Sequence, residues 1–159
     1  MRAVVQRVSE ACVHVQDHEV AAIGHGLLVL IGVAEGDSSE DARYLAEKIA
    51  NLRVMPDDTK RMNYSVLDTG MAVLIVSQFT LIADTSRGRR PSFAAAADPS
   101  IAEPLVHDLE GYFRSLGVTV ACGEFGSDMD VRLVNRGPVT IIVDSRHQRS
   151  SQLGSNHND

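Results

Sequence analysis

The chain has 159 residues, 44% of them hydrophobic and 23% charged, a size and balance that suit one globular domain with its own core. Its formal net charge of −6 argues against a broad, sequence-independent nucleic-acid surface, though not against a protein that holds a nucleic-acid end. No apolar run approaches the ~20 residues of a membrane helix, and the charged, alternating start MRAVVQRVSEACVHV reads as a first strand, not a signal peptide, so a cytoplasmic location is expected.

In chain order, residues 2–15 alternate as a strand, with Val4, Val8 and Val13 among its apolar members. A short strand is expected over 18–23, a turn at Gly24-His25-Gly26, and a strand buried on both faces over 26–33. Ser38 opens a helix, with Asp41 making a near capping box and Ala42, Leu45, Ala46, Ile49 and Leu52 on one face. Pro56 requires that helix to end by Met55. Residues 57–70 read as loop, 71–79 as strand, and the next stretch as a long loop to about residue 98. A second helix is predicted over 103–116, with Pro104 in its first turn, Leu105, Leu109, Phe113 and Leu116 buried, and Gly117 as its stop. Strands follow at 118–122, 131–134 and 139–143. From Arg146 onward periodicity ends and apolar content nearly vanishes. The expectation is one domain over residues 1–145 and a disordered tail over 146–159. The fold class expected is α+β: a mixed, barrel-like sheet with two helices.

Cys12 and Cys122 lie in strand-like runs without a CxxC, so two reduced thiols are the default. His14 and His18 are four residues apart on a strand-like segment, roughly 13 Å, too far to share an ion. No metal and no cofactor are expected.

Two short stretches sit where apolar runs end. Ser77-Gln78-Phe79-Thr80-Leu81 follows Met71–Val76, and Asn135-Arg136-Gly137-Pro138-Val139-Thr140 separates two apolar runs. Polar and backbone-special residues at strand ends are where a rigid scaffold presents chemistry. A basic cluster, Arg87, Arg89 and Arg90, lies just beyond the first stretch. It is a solvated loop or a phosphate contact.

These residues resemble the D-aminoacyl-tRNA deacylase family. The resemblance runs over about residues 1–145, through MRAVVQRVSEACV, GLLVLIGV, NLRV, MNYSVLD, SQFTL, ADTSRGRRPSF, GEFGSDMDV and NRGPVT. Ile82 and Arg136 are its small departures, and the tail lies outside it. The resemblance implies an enzyme that hydrolyses the ester between a D-amino acid and the terminal adenosine of tRNA. It also implies a homodimer with its active site at the subunit interface. Ser77, Gln78, Phe79 and Thr80 would line the pocket of one subunit. Gly137 and Pro138, as a Gly-cisPro element, would reach into the other subunit's pocket, and Arg7 would help fix that element.

The chemistry fits the resemblance. An enzyme that accepts many D-amino acids must test the α-carbon, and a backbone wall does so by leaving no room for an L side chain. Such a wall does not reject glycine. Backbone N–H groups around Phe79 and Thr80 suit an oxyanion. Thr80 is the hydroxyl candidate, but no His or Asp partners it in the sequence, so the neighbouring ribose hydroxyl of the tRNA is the preferred assistant. Phe79 is either core or a platform for the terminal adenine. Two other readings stay open at this point. One is a binding module that holds aminoacyl-adenosine without cleaving it. The other is an interaction domain in which Gly137-Pro138 is a surface turn with a trans bond.

Overall fold

Strand β1 (Arg2–Val15) is the spine of the computed structural model, which describes residues 1–146. The expected tail therefore falls, but for Arg146, outside the described residues. Strand β8 (Asp130–Asp144) pairs antiparallel along one edge of β1. Along the other edge, β2 (His18–Ile23) covers residues 11–15 of β1 and β3 (Gly26–Gly32) covers residues 2–8. Parallel pairs then extend the sheet from β3 to β6 (Ala72–Ser77) and on to β7 (Thr119–Cys122). β2 curls back against β6 and β7, which leaves the six-stranded sheet nearly closed.

Each parallel step needs a helical crossover. Helix α1 (Ser39–Ala50) lies between β3 and β6, and α3 (Pro99–Ser115) lies between β6 and β7. The two helices pack on each other and on one face of the sheet. Leu45, Ile49, Leu109 and Phe113 are fully buried there against Leu27, Val29, Val73 and Ile75. A smaller core on the other face joins Val8, Ala11, Val13, Leu28, Leu74 and Val76. The continuous apolar runs of β3 and β6 arise because both of their faces are covered.

Several expectations need correction. The described residues hold three helices, not two: Val66–Thr69 forms a short α2, capped by Ser65, whose hydroxyl accepts from the Asp68 N–H at 3.1 Å. Before it, β4 (Met55–Pro56) and β5 (Met62–Tyr64) make a small hairpin within the expected loop. α1, by contrast, ends at Ala50, within the Met55 limit set by Pro56, and Asn51 caps it by donating its side-chain amide to the Glu47 carbonyl at 2.8 Å. α3 starts four residues earlier than expected. Asp98 caps it, Pro99 takes the first turn, and Pro104 stands inside it. An Asp-Pro start outranks Pro104 as a signal because both residues suit the unbonded first turn. The two C-terminal strands are one interrupted strand, β8. No described helix is long and apolar enough to cross a membrane.

Candidate active site

The C-terminal ends of the three parallel strands converge on a cavity of about 680 Å³. β3 supplies Ile31, with Val33 just beyond it, and β6 supplies Val76 and Ser77, followed by Gln78 and Phe79. The segment after β7 supplies Phe125 to Met129, and Phe93, Ala96–Pro99, Ala102 and Val106 close the remaining side. Its size and largely apolar lining suit a small organic group.

The SQFT segment turns sharply out of the sheet. β6 ends at Ser77, the Gln78 N–H still bonds the Ile31 carbonyl at 2.7 Å, and a 3₁₀ turn covers Phe79–Ile82. The strand therefore ends two residues before the expected Phe79. Gly32 permits this turn, since a Cβ there would lie 3.0 Å from the Gln78 carbonyl oxygen and from Leu81 Cβ. The first bond of the turn runs from the Leu81 N–H to the Gln78 carbonyl, so the N–H groups of Phe79 and Thr80 precede its ladder. Phe79 is 59% exposed and is therefore not core. It meets Phe93 edge-to-face with ring centroids 5.1 Å apart, forming an aromatic rim. Thr80 is also exposed and lies just outside the lining; its Oγ1 accepts from Gln78 Nε2 at 2.5 Å.

Gly137 and Pro138 do not line this cavity. On β1, only Arg7 lies between Gln6, paired with Thr140, and Val8, paired with Asn135. Residues 136–139 thus oppose one residue and bulge out of β8. Asn135 braces the base of the bulge, donating Nδ2 to the carbonyls of Arg7 at 3.0 Å and Val139 at 3.1 Å. Arg7 holds it from below: Nε donates to the Arg136 carbonyl at 3.0 Å and Nη1 donates to the Val54 carbonyl. Arg136, Gly137 and Pro138 are exposed. No described peptide bond is cis, so the expected cis bond before Pro138 is corrected to trans in the single chain. A trans X–Pro bond is the lower-energy form by about 0.5–1 kcal/mol.

The sheet register separates the two elements within one chain. Arg7 is level with Leu27 of β3, whereas Ser77 is level with Ile31. Four residues along a strand span roughly 13 Å.

Arg87, Arg89 and Arg90 occupy an exposed loop beside the aromatic rim. Paired backbone bonds between Asp84 and Ser92, 2.8 and 2.9 Å long, close the loop at its base. Phe93 and the Phe125–Met129 wall are pocket residues that were not expected individually. Their signal lay in stretches marked only by resemblance, GEFGSDMDV and the end of GRRPSF.

The profile of the family described as D-Tyr-tRNA(Tyr) deacylase matches residues 4–144. A "D-aminoacyl-tRNA deacylase" of Roseiflexus sp. (strain RS-1) is 61% identical over 145 residues, covering 91% of this chain and 94% of that one. Another protein of that description, from Halalkalibacterium halodurans, is 52% identical over 92% of this chain and the whole of its own. Among solved structures, a "c-Myc DNA Unwinding Element Binding Protein" superposes with a TM-score of 0.85 at 36% identity, covering 91% of this chain and 98% of that one. A probable eukaryotic D-amino acid tRNA deacylase superposes at 0.78 over 90% and 98%; its 21% identity speaks for the fold alone. The chain is thus one of the tRNA deacylases, hydrolases of an aminoacyl ester. Within them it belongs to the D-Tyr-tRNA(Tyr) deacylase family.

Proposed function

We propose that the protein hydrolyses D-aminoacyl-tRNA, releasing free D-amino acid and tRNA, and that it spares L-aminoacyl-tRNA. The observation that carries this reading is the cavity at the SQFT turn in a chain whose relatives, 52–61% identical, are described as D-aminoacyl-tRNA deacylases. The terminal adenosine stacks on the exposed Phe79–Phe93 rim, and the phosphates behind it meet Arg87, Arg89 and Arg90. The N–H groups of Phe79 and Thr80 receive the developing oxyanion. No His lines the cavity, and Asp98, one of its two carboxylates, is engaged by the Ser100 N–H and hydroxyl at 2.9 and 2.7 Å. A threonine nucleophile has no imidazole beside it, and the ribose hydroxyl beside the ester assists instead. Such a substrate places the protein in the cytoplasm.

The chiral filter is the backbone of Gly137 and Pro138, presented to the cavity of a second copy of the chain. The bulge protrudes, stands roughly 13 Å along the sheet from its own SQFT turn, and is braced by Arg7 and Asn135. This filter rests on exposed carbonyls and the absence of a Cβ. The exposed Val134 and Ile142 flank the bulge on β8, as an interface would require.

Release of D-tyrosine from D-tyrosyl-tRNA by the purified protein tests the reaction against a binding module, which would retain the ester. Heterodimers of a Thr80-region variant with a Gly137-region variant test the shared site. One working pocket should reappear; heterodimers without restored activity would refute it.

A further inference from the structure

We infer that Cys12, His14 and Glu19 form a binding site for a single Zn²⁺ ion on the outer face of the β1–β2 hairpin. The sequence spacing of His14 and His18 set them too far apart to share an ion, and the fold does not join them: His18 Nδ1 lies 2.8 Å from the Gln16 carbonyl. It gathers a different set. Ala11 and Val13 face the core, so Cys12 and His14 project together from the opposite face.

Glu19 joins them because of two local irregularities. The hairpin turns through two residues only, Gln16 and Asp17, with φ of 49° and 64°, as a type I′ turn demands. That tight turn pins Val15 to His18 and His14 to Glu19. A bulge then skips Val20, because Val13 pairs with Ala21. Regular pairing continued from Val13 would set Val20 opposite His14. The bulge puts a carboxylate in that place, and re-aiming a side chain is a known use of bulges.

The resulting distances fit an ion. Cys12 Sγ lies 3.9 Å from His14 Nδ1, and Glu19 Oε2 lies 4.0 Å from the other ring nitrogen, Nε2, only one of which binds the ion. One ligand atom from each residue falls within 4.8 Å of the others. Tetrahedral Zn²⁺, with bonds of about 2.0–2.3 Å, separates its ligand atoms by roughly 3.3–3.8 Å. Closing the set therefore draws the ligand atoms together by at most about 1–1.5 Å. Thiolate, imidazole and carboxylate are the three protein ligand types zinc takes, and thiolate disfavours Mg²⁺ or Ca²⁺. On the other side of β1, Asp130 is paired with His14 and Arg132 with Cys12. Water takes the fourth position. Binding converts the Cys12 thiol to thiolate and releases one proton to solvent, so ion plus thiolate plus carboxylate is neutral. Met129, which lines the cavity, precedes Asp130, so the ion would clamp the hairpin beside one end of the pocket wall.

The test uses the full chain, stripped with chelator and titrated with Co²⁺ as a spectroscopic stand-in and then with Zn²⁺. One equivalent should produce a thiolate-to-cobalt charge-transfer band that Zn²⁺ bleaches. Cys12→Ser and His14→Ala should each abolish the band, and Glu19→Gln should weaken Zn²⁺ affinity by about tenfold or more. Cys122→Ser should leave the band intact. Glu19 is exposed, so Glu19→Gln keeps the test decisive if a strand variant misfolds. A native chain that gives no band, a band that survives Cys12→Ser, or unchanged Zn²⁺ affinity in Glu19→Gln would overturn the site.

Discussion

The guanidinium of Arg7 fills the space into which any side chain at position 137 would grow. A Cβ built on Gly137 collides with Arg7 Nη2, and Gly137 has a φ of +96°, where L residues are strained. The residue that braces the bulge therefore also requires glycine at its tip. Gly137→Ala should lower stability by about 1–2 kcal/mol from backbone strain alone, with the collision added. In an Arg7→Ala background the collision is gone, so the same substitution should cost less. Urea unfolding of the four proteins measures that coupling; strict additivity would show that the two residues do not meet.

Thr80→Ala should retain substantial activity, whereas Thr80→Phe should not. The hydroxyl accepts from the Gln78 amide and has no imidazole beside it. Single-turnover rates on D-tyrosyl-tRNA decide the point. A loss on the scale of a removed nucleophile, with tRNA binding intact, would restore a covalent mechanism.

A filter made of backbone excludes by space, so glycine should pass it. Glycyl-tRNA should be hydrolysed measurably at enzyme levels that leave L-alanyl-tRNA intact. Replacing Pro138 with a smaller residue should raise L-activity more than it lowers D-activity. Resistance of glycyl-tRNA where D-alanyl-tRNA is cleared would mean that the pocket recognises a D side chain positively.

Asp144 ties the two ends of the domain together. Bonds from the Arg146 side chain at 2.7 and 3.0 Å, and from Arg2 at 3.0 Å, hold its carboxyl well below the usual carboxylate range. Because its folded pKa is depressed, its contribution is present above the unfolded value of about 3.9 and is lost as pH falls below it. Asp144→Asn should cost about 1.5–3 kcal/mol at pH 7. The difference from the native protein should shrink in acid below pH ~4, as chemical denaturation across pH would show.

The order of the main elements along the chain and the helix faces were legible in the sequence because burial leaves a pattern. The runs 26–33 and 71–76, and the Leu45/Ile49 and Leu109/Phe113 faces, all appear where periodicity puts them. Elements set by a few polar contacts were not legible. The Ser65–Asp68 cap makes α2 within a stretch that reads as loop, and the skip opposite Arg7 turns two strands into one bulged strand. The site was half legible. SQFT and NRGPVT announce themselves by residue type, but the wall at Phe125–Met129 is contributed by chain that carries no pattern of its own. The Cys12–His14–Glu19 cluster was illegible because it depends on a one-residue slip at Val20, which periodicity does not encode.

The central claim is that this pocket reads handedness at the α-carbon. Deacylation of D-tyrosyl-tRNA and L-tyrosyl-tRNA, side by side with one preparation of the native protein, tests it most directly. The account predicts that the D-ester is cleared at enzyme concentrations that leave the L-ester untouched. Equal rates on the two esters would contradict it.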